Sequence, residues 1–276
     1  MKTIGKILGI RPTTDSPDIV SRLAKIYEPG YVGDHFECIL PINDPAYMEV
    51  QAQLQRDGFE PWLGYQKRRE NEYWFELILE YTPSDLAEFE FFVPRPQKAL
   101  GSDLVPLGRR PLGIEYNRSK SQKDIGFVGF PHVVVSASFK NHLESRGLTR
   151  ILFRETVYET RQKVPNPAPY FQLASDLVLP PMAKSVKLVN NDGQPFGGDY
   201  ENGCHIFQPF VREREPHYSK ESFNGLPDFD VAFTAERFGN FEETCCQLTI
   251  VSSRFRDICM ERKLPMNWLP VHIDAE

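Results

Sequence analysis

The spacing of apolar and polar residues predicts alternating strands and helices in the first part of the chain. Apolar runs over residues 4–10 and 35–40 are typical of short strands. Helices are predicted over residues 16–27 and 44–58, because each segment begins with a capping side chain followed by a proline. The second helix should end at a glycine and bury one face, which consists of Tyr47, Val50 and Leu54.

Residues 72–80 change to a period of two, in which apolar side chains alternate with acidic and aromatic ones. This pattern predicts a half-buried strand of the antiparallel type. A short and very apolar helix is predicted next, over residues 83–92, because Thr82 precedes a proline and an acidic residue at its start. Pro94 and Pro96 should end that helix.

The chain should divide into two parts near residue 97. The residues that follow, up to residue 128, are rich in glycine, proline and charge, which is typical of a connection. We therefore predict an N-terminal α/β module over residues 1–97 and a C-terminal domain over residues 98–276. Turn signals in the second domain predict surface loops over residues 190–203 and 212–227.

One sequence motif occurs twice in the second domain. Residues 135–148 and 251–264 align without gaps, at a constant spacing of 116 residues (251 minus 135). Val, Ser, Phe, Arg and Leu recur identically, and an apolar run lies before and after each copy. The chain should therefore contain two strand–helix–strand units, over about residues 133–158 and 249–273.

A serine stands at the strand-to-helix junction of each copy. Ser136 and Ser252 should end the first strand and cap the helix that follows. A nucleophilic role is the alternative for both, but neither serine lies in a Gly-x-Ser-x-Gly turn. The predicted fold is α+β, with mixed or antiparallel sheets, flanking helices and two copies of the strand–helix–strand unit. The sequence leaves open whether the two copies share one sheet.

Composition narrows the functional classes. A formal net charge of −6 at pH 7 argues against nucleic-acid binding, which depends on clustered Lys and Arg, and favours a basic partner. The sequence has no run of about 18 apolar residues and no signal peptide, so we expect a cytoplasmic protein without a membrane partner. Five cysteines without a regular framework indicate reduced thiols instead of disulfides.

The residues that commonly carry chemistry form no recognisable catalytic or metal-binding motif. Cys204 and His205 are adjacent, but neighbouring residues of a strand point to opposite faces. Cys245 and Cys246 lack the spacing of zinc ligands, and no glycine-rich phosphate loop occurs. We therefore expect no catalytic residue, no metal and no cofactor. The histidines are scattered without metal-ligand spacing, as His35, His132, His142, His205, His217 and His272.

An acidic segment is the strongest candidate for a recognition surface. Seven carboxylates between residues 70 and 90 occur without a Lys or Arg among them, and Trp74 shares a face of the predicted strand with three of them. Acidic fields attract basic partners, and tryptophan is enriched at interface hot spots. The alternative is a solvated strand whose Trp74 packs beneath a neighbouring element. The predicted partner-binding residues are Glu72, Trp74, Glu76 and Glu80, with Asp199 and Tyr200 of the loop over 190–203.

The second domain resembles a known family. Residues 238–241 (Phe-Gly-Asn-Phe), the segment 248–255 and the closing residues 268–271 (Trp-Leu-Pro-Val) are similar to the C-terminus of the double-CxxCG motif family of bacterial proteins. Residues 132–158, followed by Pro-Asn-Pro at 165–167, resemble an earlier unit of the same family. The resemblance covers about residues 130 to 276.

This resemblance implies a role as an immunity protein. Members of that family, and relatives with the same C-terminal signature, are associated with polymorphic toxin systems, in which they bind and neutralise a cognate toxin. The family takes its name from two Cys-x-x-Cys-Gly pairs that are expected to hold zinc. Here the first region has a lone Cys38 and the second has Val-Asn-Asn-Asp-Gly at 189–193, so structural zinc is not expected.

The leading hypothesis is therefore a non-catalytic immunity protein that binds and neutralises a basic protein toxin. One alternative is a hydrolase-like enzyme with an unrecognised site that uses Cys204 or His205. Another is a structural or regulatory scaffold protein. A deep pocket with convergent titratable groups would favour the enzyme, whereas an acidic surface with aromatic side chains would favour the binding protein.

Overall fold

The fold was obtained as a computed structural model, and the protein is α+β, as the sequence predicted, with helices and mixed or antiparallel sheets. The chain forms two compact units, which divide between Leu86 and Ala87. No helix of the described residues has the length and apolar character needed to cross a membrane. The described residues are 2–10, 23, 36–41, 44–62, 72–101, 111–119, 123–129, 132–158, 166–183, 186, 188–189, 204–207, 215–238 and 246–274.

The first unit is built on a four-stranded sheet. Its strands are β1 (Lys2–Ile10), β2 (Phe36–Pro41), β3 (Glu60–Trp62) and β4 (Glu72–Glu80). They are arranged in the order β2-β1-β4-β3. β1 is antiparallel to both of its neighbours, whereas β3 is parallel to β4. All three strands that the sequence predicted in this unit are present.

Helix α1 (Pro45–Arg56) of the first unit follows the predicted pattern. Asp44 caps it by accepting a 2.9 Å hydrogen bond from a backbone amide of the first turn. Gly58, just beyond its end, has a φ of 77°, a conformation that glycine adopts without steric cost. The helix predicted over residues 16–27 lies outside the described residues, except for Leu23, which is helical and buried. The buried face of α1 is the predicted one, Tyr47, Val50 and Leu54.

The helix predicted over residues 83–92 is wrong beyond its first turn. Helix α2 spans only Pro83–Leu86, and strand β5 (Phe91–Pro96) follows it. Pro94 and Pro96 lie opposite residues of an antiparallel neighbour, while the other neighbour of β5 pairs only with its first two residues. Because proline has no amide hydrogen to donate to a second neighbour, this half-paired stretch of strand accommodates both prolines.

Because of strand β5, the boundary between the two compact units lies earlier than residue 97, where the sequence predicts it. The two compact units divide eleven residues earlier, after Leu86. The reason is that β5 belongs to the largest sheet of the second unit, where Phe92 and Val93 are almost completely buried.

The second unit contains two sheets and four helices among the described residues. The elements of its first half after β5 are β6 (Leu112–Ile114), α3 (Tyr116–Ser119), β7 (Ile125–Val128), β8 (His132–Ser136), α4 (Ala137–Ser145) and β9 (Leu152–Tyr158). The elements of its second half are β10 (Asn166–Ala174), β11 (Leu188–Val189), β12 (Cys204–Phe207), β13 (His217–Ser219), α5 (Lys220–Phe223), β14 (Val231–Phe238), β15 (Cys246–Ser252), α6 (Ser253–Glu261) and β16 (Met266–Asp274).

The two sheets repeat one arrangement of five strands. In the order β6-β9-β10-β8-β7, β6 is parallel to β9, and the remaining neighbours are antiparallel. In the second sheet, β13-β16-β5-β15-β14 has the same order and the same directions. Strands β12 and β11 extend that sheet beyond β14 to seven strands. The two copies of the repeated motif, β8-α4-β9 and β15-α6-β16, therefore lie in different sheets.

The central strands of the two sheets are exchanged along the chain. The first sheet takes its middle strand, β10, from the second half of the unit, and the second sheet takes β5, the middle of its five repeated strands, from the start of the first half. After each middle strand the chain crosses to the other sheet, where Ala99 bridges to Phe127 and Val178 bridges to Phe233. Each half of the second unit thus supplies the middle strand of the other half's sheet.

Helices α4 and α6 begin with the same cap. The Oγ atom of Ser136 or Ser252 accepts a hydrogen bond from the amide three residues later, at 3.1 Å and 3.2 Å. Each serine also donates to an aspartate, Ser136 to Asp124 at 3.0 Å and Ser252 to Asp230 at 2.6 Å. The aspartates precede their serines by 12 and 22 residues, so an alignment at constant spacing does not find them.

Candidate functional site

A cleft of about 440 Å³ opens beside the first turn of α6. Glu90 enters it from the segment before β5, and Thr149 from the segment after α4. Asp228 and Asp230 come from the segment before β14, and Arg254 comes from α6 itself. Both halves of the second unit therefore contribute polar groups to one concave surface.

Three phenylalanine rings also line this cleft. The rings of Phe91 and Phe229 stack with their centroids 4.7 Å apart, and the ring of Phe223 lies 5.7 Å from that of Phe91. Phe229 is buried, whereas Phe91 and Phe223 are half-buried. Since the face of an aromatic ring attracts cations, these rings suit a cationic side chain better than an anionic one.

Asp230 connects several of the segments that line the cleft. Its buried carboxylate accepts hydrogen bonds from the Ser252 hydroxyl at 2.6 Å and from the Thr149 amide at 2.8 Å. The guanidinium of Arg254 lies 3.6 Å from the same carboxylate and also donates to the backbone carbonyl of Gly147. This carboxylate is therefore occupied by contacts within the protein.

Glu90 and Asp228 supply the remaining negative charge of the cleft. Both residues are exposed, and within the described part of the chain neither carboxylate has a hydrogen bond or an ion pair. Arg254 is the single cation among the residues that line the cleft, and it faces Asp230. The two outer carboxylates therefore leave the cleft with a net negative charge, and the three phenylalanine rings line the same cleft.

A second group of polar residues joins the two sheets of the second unit. The Sγ atom of Cys246, at the start of β15, lies 3.2 Å from Nε2 of His132, at the start of β8. The other ring nitrogen of His132 lies 3.3 Å from the side-chain amide of Gln172 in β10. Cys246 and His132 are half-buried and Gln172 is buried. A thiol beside an imidazole that a third group orients is the arrangement of a thiol nucleophile with its base.

A third group lies at the β13 edge of the seven-stranded sheet. His217 of β13 and His272 of β16 are register partners on parallel strands, and their rings stack with centroids 4.1 Å apart. Nε2 of His272 lies 2.5 Å from the buried carboxylate of Glu215, and Nδ1 of His217 lies 3.4 Å from the exposed carboxylate of Asp274. Burial lowers the pKa of His217, and the neighbouring His272 lowers it further, while Asp274 acts in the opposite direction.

The predicted partner-binding residues of the first unit fall on β4, the strand paired on one side with β1. The backbone register places Glu76 opposite Lys6 and Glu80 opposite Lys2. The side chains of Glu72, Trp74, Glu76 and Glu80 lie outside the described residues, as do Asp199 and Tyr200 altogether.

The sequence singled out a different cysteine from the one that meets a histidine. Cys204 and His205 lie on β12, where their backbones pair with Arg237 and Phe238, and their side chains are outside the described residues. The pair in contact is Cys246 with His132, 114 residues apart. No local spacing indicates such a contact, because it depends on how the two sheets meet.

Comparison with known proteins finds no protein-family model that matches the sequence and no significant match among curated proteins.

Proposed function

We propose that the protein is a non-catalytic immunity protein, which binds a basic bacterial toxin and neutralises it by taking a Lys or Arg side chain of the toxin into the cleft beside α6. The observation that supports this proposal is the pair of exposed carboxylates, Glu90 and Asp228, in the same cleft as the rings of Phe91, Phe223 and Phe229. A cation in this position gains charge-assisted hydrogen bonds and a cation–π contact together.

The charge of the whole chain favours the same kind of partner. A net charge of −6 accelerates encounter with a basic protein, and the cleft then supplies the specific contact. Because both carboxylates are exposed, their main contribution should be to the association rate and to its dependence on salt.

The test is binding to, and rescue from, a toxin encoded next to the protein's own gene. The wild-type protein should protect co-expressing cells, and the double variant E90Q/D228N should bind the purified toxin at least about tenfold more weakly in isothermal titration calorimetry. The control E49Q/E155Q removes the same number of charges at exposed positions that are not among the residues lining the cleft, and it should bind as the wild type does. Equal losses in both double variants would exclude the cleft, and unprotected cells with the wild-type protein would exclude that toxin as the partner.

A thiol-dependent hydrolase is the second candidate, and the contact between Cys246 and His132 favours it. If this pair is catalytic, Cys246 should react with iodoacetamide faster than an ordinary cysteine at neutral pH, and His132→Ala should remove the excess rate. Hydrolysis of a panel of activated esters that Cys246→Ser abolishes would support the enzyme. Slow alkylation that H132A does not change would leave the contact as a packing interaction.

A further inference from the structure

We propose that Glu215, His217 and His272, with Asp274 at the outer side, form a binding site for a divalent transition-metal ion of the zinc class. This site goes beyond the proposed function and does not depend on it. The donors are one carboxylate oxygen and one nitrogen from each imidazole, which is a set that zinc commonly takes in proteins.

The spacing of the donors fits a single ion. One ligand atom from each of Glu215, His217 and His272 lies within 4.8 Å of the other two. Zinc bonds of about 2.0 to 2.2 Å place ligand atoms roughly 3.4 Å apart around a tetrahedral ion and at most about 4.4 Å apart. The donor atoms must therefore approach one another by about an ångström, and the two stacked rings, whose planes differ by 7°, must tilt so that both nitrogens face a common centre.

The backbone already fixes two of the three donors. His217 and His272 are register partners on adjacent parallel strands, so the sheet itself holds their rings side by side. Glu215 precedes β13 by two residues, and its side chain is only 3% exposed. The half-exposed imidazoles leave a path for an ion from solvent, and Asp274, whose side chain is 69% exposed, can supply a fourth oxygen from that side.

The first repeat shows that the fold does not need histidines at these positions. There, β6 and β9 occupy the places of β13 and β16, and the corresponding register partners are Leu112 and Thr156. The first sheet has the same strand order and the same strand directions as the second, with those two residues in the places of the histidines. The donor set is therefore a property of the second repeat alone, added to a shared architecture.

The competing explanation is a structural hydrogen bond between His272 and Glu215, with His217 as a neighbour. The two explanations differ in what the purified full-length protein does with metal. After treatment with a chelator and dialysis, the wild type should bind one Co²⁺ per chain with the visible absorption of a low-coordinate site, and Zn²⁺ should displace it. A structural hydrogen bond produces neither signal.

The matched variant is H217L/H272T, which carries the residues of the first repeat at the same register positions. It should keep the far-ultraviolet circular dichroism of the wild type and lose the Co²⁺ spectrum, with Zn²⁺ affinity at least about tenfold lower. E215Q should weaken binding in the same way. C246S should bind normally, which excludes a site at the thiol. Unchanged binding by H217L/H272T, or no binding by the wild type, would overturn the proposal.

A measurement on the wild type alone covers the case in which a variant does not fold. Diethyl pyrocarbonate modifies accessible imidazoles, and peptide mass spectrometry reports each histidine separately. Zn²⁺ should protect His217 and His272 from modification and leave His142 on α4 unchanged. If Zn²⁺ changes the modification of none of the three histidines, the proposed site is contradicted.

Discussion

Ser252 donates a 2.6 Å hydrogen bond from its Oγ atom to the carboxylate of Asp230. The corresponding pair of the first repeat, Ser136 and Asp124, has the same geometry at 3.0 Å. The environments differ, because Asp230 is buried and Asp124 is half-buried. The same Ser–Asp helix cap therefore occurs twice, once with a buried aspartate and once with a half-buried one.

This difference predicts unequal effects of removing the two caps. Ser136→Ala should lower the free energy of unfolding by about 1 kcal/mol, the usual value for a lost cap. Ser252→Ala should lower it by about 2 to 3 kcal/mol, because the buried carboxylate of Asp230 also loses a donor. Urea unfolding followed by circular dichroism measures both values. A larger effect at Ser136 would show that burial of the aspartate does not matter.

Glu236 predicts a pH dependence of stability. Its side chain is buried, one oxygen accepts a 2.7 Å hydrogen bond from the Met182 amide, and the other has no partner within the described residues. Burial raises the pKa of Glu236 above its ordinary value near 4.5. The folded state then holds a proton that the unfolded state releases, so the contribution of Glu236 to stability is greatest below about pH 4.5 and falls as pH rises through the folded pKa.

The variant E236Q isolates this contribution. Glutamine keeps the acceptor for Met182 and does not ionise, so its urea midpoint should lack the decrease above about pH 4.5 and should exceed that of the wild type at neutral pH. Parallel pH profiles for the two proteins would mean that Glu236 is charged in the folded state.

Gly101 lies where even an added methyl group would clash with neighbouring atoms. A Cβ atom there would lie 2.5 Å from the carbonyl oxygen of Gly113 and 2.8 Å from a methyl carbon of Val128. A backbone oxygen cannot rotate away, so Gly101→Ala should lower the free energy of unfolding by about 1 to 3 kcal/mol. The exposed substitution Asn141→Ala should change it by no more than about 0.5 kcal/mol. Equal urea midpoints for the two variants would refute the close approach.

The cysteines of β15 and α6 should differ in reactivity. Cys259 is almost fully buried, and burial strongly raises the pKa of its thiol, whereas Cys246 is half-buried beside His132. Iodoacetamide should therefore modify Cys246 and spare Cys259 in the native protein, and modify both in urea. Peptide mass spectrometry gives the two rates, and a native Cys259 that reacts as fast as Cys246 would contradict the packing of α6.

The position of β5 predicts which fragment of the chain can fold. The fragment 98–276, cut at the boundary expected from the sequence, lacks β5, which lies between β15 and β16 in the seven-stranded sheet. The fragment 87–276 keeps it. The longer fragment should unfold cooperatively in urea, and the shorter one should not, since the buried Phe92 and Val93 are missing. Cooperative unfolding of the shorter fragment would show that β5 is dispensable.

The features that the sequence predicted correctly depend on neighbouring residues. The cap of α1 and its buried face lie within about three turns, and so do the serine caps of α4 and α6. The segment of β5 was misread because a dense apolar run fits a helix or a strand equally well, and its partner β16 decides between them. Glu215 and His272 are 57 residues apart, so only the pairing of β13 with β16 brings them together.

The exchanged middle strands determine when the protein can mature during synthesis. A ribosome releases β6 to β9 before β10, so the five-stranded sheet cannot close until residue 174 has left the exit tunnel. β5 remains unpaired for longer, because its partners β15 and β16 extend to residue 274. Unpaired strand edges are exposed during both intervals, and such edges promote aggregation. Nascent chains that are stalled before residue 174 should therefore be clients for chaperones, whereas released chains should not.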